Sequence, residues 1–434
     1  MSTLPLPMLS KPQDLAGWLR HLETLHPNTI ELGLARVKQV AERLRLDFGH
    51  ARVITVGGTN GKGSSVTMLA SILRAAGQSA VTYTSPHITI YNERVGLVDR
   101  LATDAELCNG FAAVEAVRGD ISLTYFEFGT LAALWLFAQS KPDFIILEVG
   151  LGGRLDAVNI IDADVSLLTN VDLDHIEWLG DTRDKIGFEK AGIFRTARPA
   201  IYGERSMPQS VADHAAKHQV PLLQQGREFG CQQAGQKWNW HGVDANGRLL
   251  QMTDLPSNGF PLDNAAAVLQ VLHSLGLELP RAAIDKGLAA AELAGRFQQK
   301  QYQGLRVILD VAHNPHAANN LAHNIRTRLA GCRVLLVLGM LGDKDSGGVV
   351  RLLAPVVDHI YAASLGGERG APADVLYNHA RQLDHQAISC HASAAEAFAA
   401  ACKDAGDGVE GSDREAVIVV TGSFFTISAV LELI

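Results

Sequence analysis

The feature that most restricts the fold is a glycine-rich turn between two apolar runs, Val56-Gly57-Gly58-Thr59-Asn60-Gly61-Lys62-Gly63-Ser64-Ser65. Ahead of it, Arg52-Val53-Ile54-Thr55-Val56 reads as a short buried strand. Behind it, Ser64 to Ala76 sets Val66, Leu69, Ile72, Leu73 and Ala76 on one helical face, with Gly77 where a helix cap belongs. A strand that turns through glycines into a helix gathers backbone N–H groups and the positive end of the helix dipole around one point, which favours anionic oxygen. Lys62 adds a movable cation, and Ser64 or Ser65 a hydroxyl for phosphate or its Mg²⁺. The segment departs from the general pattern G-x-x-x-x-G-K-[ST]. Three residues separate Gly57 from Gly61, and Gly63 stands where a hydroxyl is usual. Strand, lysine and helix together favour nucleotide phosphate binding over a plain glycine turn.

The same alternation continues along the chain. A helical pattern from Leu15 to Leu46, interrupted at His26-Pro27-Asn28, precedes the loop, and Ala80 to Thr84, Phe144 to Leu147 and Val165 to Thr169 read as further buried strands. Between about Arg205 and Leu255 the texture loosens, and Asn246-Gly247 signals a hairpin in a β-rich appendage. A second series has strands at Arg306 to Leu309, Arg333 to Leu338, His359 to Ser364, Ala387 to Cys390 and Ala416 to Thr421. Helical periodicity fills Ala317 to Leu329 and Ala394 to Ala405. Strands alternating with helices pair in parallel and are covered on both faces. The expected class is therefore α/β: a P-loop-type, mostly parallel sheet domain with a small β-rich appendage over residues 1–296, then a smaller Rossmann-like α/β domain over 297–434. The joint is expected in the polar stretch Arg296 to Tyr302, and 434 residues are too many for one ordinary core.

Composition removes several classes. A net charge of −8 offers no basic surplus for a nucleic acid. The five cysteines, Cys108, Cys231, Cys332, Cys390 and Cys402, form no C-x-x-C pair, so neither a disulfide framework nor a zinc cluster is indicated. The first residues lack the charged and apolar regions of a signal peptide, and no apolar run reaches a membrane span of roughly 18 residues. The chain reads as a cytoplasmic monomer acting on small molecules, without nucleic-acid or membrane partners.

Three segments follow predicted strands, where ligands of open α/β sheets gather: Thr84-Ser85-Pro86-His87, Leu147 to Gly153, and Asn170-Val171-Asp172-Leu173-Asp174-His175. Mg²⁺ takes oxygen ligands and keeps several waters, so one carboxylate, one hydroxyl and an imidazole suffice. Taken alone, His175 reads as a hydrogen-bonded structural residue and Ser85 as a helix cap. Their common position at strand ends favours a site.

On these residues the sequence closely resembles the bifunctional dihydrofolate synthase/folylpolyglutamate synthase family of the Mur ligase superfamily. The matching segments are Gly58 to Ser64, Ser85-Pro86-His87, Leu147 to Asp156, Asp174-His175, Glu189 to Phe194, Gly295-Arg296-Phe297 and Asp310 to Pro315, in order over almost the whole chain. The resemblance implies that Thr59, Asn60, Gly61, Lys62, Gly63 and Ser64 hold ATP. It implies that Ser85, Glu148 and His175 ligate Mg²⁺, with Glu148 able to bridge two ions. Lys190 corresponds to a lysine that family members carry as a carbamate; a salt bridge to Glu189 or Asp184 is the alternative. Lys62, Lys190 and His175 are the expected catalytic residues. Asn264, Arg296 and Asp310 match nucleotide-contacting positions, with His313 in the same loop. Asp343-Lys344-Asp345 resembles the family's second domain without an assigned role.

The resemblance also implies a pterin site built from Glu31-Leu32-Gly33, from Thr124-Tyr125-Phe126-Glu127 and from Leu155-Asp156-Ala157. Tyr125, Phe126 and Phe128 can stack on a flat ring, although aromatic runs are more often core; the match favours Phe126. The implied reaction is ATP-dependent amide formation between L-glutamate and dihydropteroate, and between glutamate and the γ-carboxyl of reduced folates, through an acyl phosphate. The second domain would close over ATP and contribute to glutamate binding. Folylpolyglutamate synthase activity alone is the alternative. A peptidoglycan ligase of the Mur type would carry a separate domain for a UDP-sugar, and only ~50 residues precede the loop, short of a typical domain. An ATP-switched binding protein would not need Glu148, His175 and Lys190 together.

Overall fold

The computed structural model describes residues 12–28, 30–235, 237–257, 259–367, 369–407 and 414–434. The chain divides into two compact units. The first comprises Met1–His87, Tyr91–Leu255 and Ala266–Gly287, and the second Ile88–Ile90, Pro256–Ala265 and Leu288–Ile434. The position 296/297 expected as the joint falls inside the second unit, and the stretch 298–302 is a strand, Gln298–Tyr302.

The first unit is built on a seven-stranded sheet. Its spatial order is Val95–Gly96, Ala80–Tyr83, Phe144–Glu148, Arg52–Gly57, Val165–Leu168, Ala200–Tyr202 and Leu222–Gln224. All neighbours are parallel except the first pair. Arg52–Gly57 lies between Phe144–Glu148 and Val165–Leu168, so the chain order reverses beside it. The crevice outside the carboxyl ends at such a reversal is the natural ligand position of an open parallel sheet. The strand residues Val53, Ile54, Val56, Ile145, Ile146, Leu147, Val165 and Leu167 are all buried, which explains runs without polar alternation.

Two helices that periodicity does not reveal, Asp104–Arg118 and Tyr125–Ser140, help to cover this sheet. Each opens on a reciprocal capping box, Thr103 with Glu106 and Thr124 with Glu127. The β-rich appendage is shorter than the sequence suggests. Residues 205–229 include the helix Gln209–Lys217 and the sheet strand Leu222–Gln224, so only Gly230–Ala234, Lys237–Val243 and Leu249–Pro256 form the three-stranded sheet. Asn246-Gly247 does lie in its turn, where Oδ1 of Asp244 accepts from the backbone N–H groups of Asn246 and Arg248.

The second unit has a six-stranded sheet in the order Gln298–Tyr302, Leu305–Asp310, Ala416–Thr421, Arg333–Leu338, His359–Ala363 and Ile388–His391, parallel except at its first pair. Its two faces bury separate cores, Ile308, Leu336 and Val419 on one side and Val307, Leu335 and Val420 on the other. The period of two within each strand produces that division.

Candidate active site

The glycine turn joins the strand Arg52–Gly57 to the helix Lys62–Ala75, as the sequence indicates. Gly58 has φ +142°, and a Cβ there would come within 1.8 Å of Thr169 Oγ1, so only glycine fits. The next strand end clamps the turn. Thr59 N–H donates to Asn170 O at 3.1 Å, Asn60 N–H to Asn170 Oδ1 at 2.9 Å, and Thr169 Oγ1 to Asn60 O at 2.6 Å. Thr59 Oγ1 in turn donates to Asp172 O at 3.2 Å and accepts from Asp172 N at 3.0 Å. The turn is thus tied to the neighbouring strand end by side-chain and backbone bonds. Ser65 Oγ returns to Gly61 O at 2.9 Å within the helix, whereas the Ser64 hydroxyl takes no part in that bond. Gly63 lies in the first helical turn.

Lys62 Nζ donates to Gly58 O at 2.9 Å and Thr59 O at 3.1 Å. Lys190, on the helix Arg183–Ala191, also reaches this turn. Its Nζ donates to Gly58 O at 3.0 Å, and the residue is only 4 % exposed. Burial, followed by the charge of Lys62, lowers the Lys190 amine to about 7, with Asp174 and Asp156 opposing. Neither carboxylate suggested as a salt-bridge partner takes it up: Glu189 pairs with Arg154 at 2.8 Å, and Asp184 accepts from Ser210 N–H.

Glu148 ends its strand beside the loop, buried, and its Oε2 accepts from Ser85 N–H at 3.2 Å. His175 stands at the start of the short helix Ile176–Leu179 with φ +50°, its ring half-exposed and 3.8 Å from Asp174 Oδ2. Among the described residues no three His, Cys, Asp or Glu side chains are arranged to hold a metal ion. One buried carboxylate, a serine and an imidazole fit a hydrated hard ion that shares phosphate oxygens, not a cage made wholly of protein.

The residues expected to hold the pterin form a connected set. Glu31 pairs with Arg36, whose Nη2 donates to Glu127 Oε1 at 3.0 Å. Glu127, buried, also accepts from Thr124 N–H at 2.8 Å, and its own N–H donates to Thr124 Oγ1 at 3.2 Å. The side chains of Thr124 and Glu127 therefore shape the helix start, and Arg36 links it to the Glu31-Leu32-Gly33 segment. Leu32 and Gly33 are half-buried. Phe126 lies over Gly150, where an added Cβ would meet its Cζ at 2.7 Å, and packs on Tyr83 at 5.9 Å. Phe128 is fully buried against Trp18 and Phe111 and belongs to the core. Tyr125 is half-buried. Asp156 caps the helical turn Ala157–Ile160, accepting from Val158 N–H at 3.0 Å and Leu151 N–H at 2.8 Å; burial raises its carboxyl to about 6. Leu155 and Ala157 flank it.

In the second unit Arg296, Asp310 and His313 come together. The Arg296 guanidinium lies 5.6 Å from the Phe424 ring, and the His313 ring 6.2 Å from it. Asp310 Oδ2 accepts from Phe297 N–H at 2.8 Å; burial raises its carboxyl to about 6, with the charge of Arg296 opposing. Asn264 is buried in the first turn of Leu262–Ser274. Asp343 of the Asp343-Lys344-Asp345 segment pairs with Arg369 at 2.8 Å. The sequence alone does not single out Thr169, Arg36 or Tyr83. Of these, Thr169 carried a signal, since it directly precedes the Asn170 to His175 segment.

Two family models match the chain, the Mur ligase middle domain over residues 56–240 and the Mur ligase glutamate ligase domain over 295–424. The dihydrofolate synthase/folylpolyglutamate synthase of Escherichia coli (strain K12) is 46 % identical, over 97 % of this chain and 95 % of that protein. A structure of E. coli FolC in complex with DHPP and ADP superposes with a TM-score of 0.89 at 45 % identity, covering 98 % of both chains. A crystal structure of bifunctional folylpolyglutamate synthase/dihydrofolate synthase with Mn, AMPPNP and L-glutamate bound gives 0.87 at 46 % identity, covering 98 % of this chain and 99 % of that one.

Proposed function

The chain belongs to the dihydrofolate synthase/folylpolyglutamate synthase family of Mur ligases, and on that premise we propose how its own residues divide the work. It is an ATP-dependent, ADP-forming amide ligase that joins L-glutamate to dihydropteroate and to reduced folates. The observation that carries our reading is the meeting of the Lys62 and Lys190 amines on one loop carbonyl, Gly58 O, at 2.9 and 3.0 Å.

A carboxylate is a poor electrophile, so the γ-phosphoryl group of ATP is transferred to it first, giving an acyl phosphate and ADP. The glutamate amine then attacks the acyl carbon, the C–N bond forms, phosphate leaves, and the amine loses a proton. Loop N–H groups from Thr59 to Ser64 hold the phosphates, and Lys62 exchanges its two carbonyl bonds for phosphate oxygens. Ser85, Glu148 and His175 would hold Mg²⁺ or a similar divalent ion, which would supply positive charge opposite the transferring group. Two such ions are part of the proposal, with Ser85, Glu148 and His175 the residues that would hold them.

Lys190 is proposed to work as a carbamate. An amine lowered to about 7 is substantially neutral at physiological pH. Its lone pair can attack CO₂, forming an N–C bond and releasing a proton to solvent. The product is anionic and provides oxygen ligands. Phe126 over Gly150, with Tyr125, Leu155, Asp156 and Ala157 nearby in sequence, is proposed as the pterin platform, and the Glu31–Arg36–Glu127 chain fixes its border. Asn264, Arg296, Asp310 and His313 keep the nucleotide-contacting role that the resemblance implies. No helix among the described residues is long and apolar enough to cross a membrane; a cytoplasmic monomer is part of the proposal.

The test is turnover. Purified protein receives Mg·ATP, L-glutamate and either dihydropteroate or a reduced folate, and ADP and the glutamylated product are measured. Products from both acceptors are expected. Product from folates only would remove the synthase half, and none from either would remove the ligase assignment.

A further inference from the structure

Arg94 is a buried cation that neither the loop nor the metal residues explain. It is 9 % exposed, and its guanidinium carbon lies 5.4 Å from the ring of Tyr91 and 5.6 Å from that of Tyr125. Nε donates to Nδ1 of His87 at 2.8 Å, the head lies beside the Tyr83 phenol, and among the described residues no carboxylate forms an ion pair with it. The Tyr91 hydroxyl, in the same cage, is buried without a hydrogen-bond partner. Burying a lone cation costs more than the attraction of aromatic faces returns. The cage is therefore under-neutralised.

Its location gives that deficit a use. Arg94 O accepts from Thr84 N–H at 2.9 Å, one residue before Ser85, whose own N–H donates to Glu148. Tyr125 adjoins Phe126, and Phe126 packs on Tyr83. One end of the cage borders the residues proposed for the metal, the other the rings proposed for the pterin. A planar guanidinium is matched by a planar carboxylate, which it grips with two parallel hydrogen bonds.

We propose that Arg94, set in the cage of Tyr83, Tyr91 and Tyr125, receives the carboxylate of the aryl acceptor substrate and aligns it for phosphorylation. The inference rests on the reading of the acceptor as a pteroate. Arg94 acts by direct contact, and His87, held through Nδ1, keeps its side-chain orientation.

Binding is measured with ADP and EDTA present, so that no divalent ion contributes, using dihydropteroate and its primary carboxamide as probes. The parent is expected to prefer the acid by about tenfold or more. Arg94→Gln is expected to weaken acid binding by roughly 30-fold while changing amide binding by less than about threefold. Arg94→Lys, which keeps the charge and loses the fork, is expected to fall between. Equal binding of acid and amide by the parent overturns the inference without any mutant. Acid binding at the parent level in Arg94→Gln overturns it too, as does equal loss of acid and amide in Arg94→Lys. Failure of the parent to bind either probe removes the pteroate reading itself.

Discussion

Lys62 and Lys190 donate to a single acceptor, the carbonyl oxygen of Gly58, from very different distances along the chain: one lies four residues downstream, the other 132. Burial makes it hard for Lys190 to hold a proton, and the charge of Lys62 on the same carbonyl adds to that. The protein tolerates this arrangement at a place where phosphate charge is expected to arrive.

Lys190→Ala should lower turnover by about 100-fold or more, because a charged oxygen donor cannot be replaced by a methyl group. Short carboxylic acids added to the variant should restore part of the rate. Steady-state assays with formate or acetate test this, with thermal unfolding run alongside. A variant as active as the parent would remove Lys190 from the mechanism.

The same lysine makes stability pH-dependent with a definite sign. Its folded-state value of about 7 lies below the ordinary 10.5, so between those limits the unfolded chain holds a proton that the native chain lacks. Native stability then falls as pH drops through that window, by about 1.4 kcal/mol per unit, and is level below it. Lys190→Met lacks this term. In metal-free buffer purged of CO₂, its stability advantage over the parent should grow from pH 9.5 to pH 7.5 in denaturant titrations. A constant difference would show that the amine stays charged in the fold.

Gly58→Ala should abolish nucleotide binding and cost about 3 kcal/mol, since the new Cβ meets Thr169 Oγ1 at 1.8 Å in a backbone region closed to alanine. Thr169→Ala removes the colliding atom along with its bond to Asn60 O. The double variant should therefore be less damaged than the sum of the two singles, read by ADP binding and by urea midpoints. Additive losses would place the strain elsewhere.

Gly150→Ala tests the proposed ring platform. The added methyl must displace Phe126, whose Cζ would stand 2.7 Å away. KM for dihydropteroate should rise about tenfold, with KM for ATP within about twofold. Equal changes in both would mean that Phe126 acts on the fold, not on the acceptor.

The alternation of strand and helix was legible because parallel strands buried on both faces are short unbroken apolar runs, as at Phe144–Glu148 and Arg333–Leu338. Tyr125–Ser140 was not legible as a helix. It is apolar on nearly every face, so no 3.6-residue stripe stands out, and only Thr124 and Glu127, three residues apart, mark its start. The family resemblance implies that the same two residues contact the acceptor; their side chains also cap the helix. The loop and its lysine were readable from local spacing alone. Arg94 was not, because its cage joins Tyr83, Tyr91 and Tyr125, brought together by a strand, a short helical turn and a long helix.

Lys62 also carries a consequence for selectivity. Its ammonium group already has two carbonyl acceptors, Gly58 O and Thr59 O, before any phosphate arrives. A weakly basic monovalent anion such as chloride offers too little to displace both, so the turn sets a threshold. Only a ligand bringing several charged oxygens at once can draw the lysine away, and the loop discriminates by charge density before the rest of the protein reads the base or the acceptor.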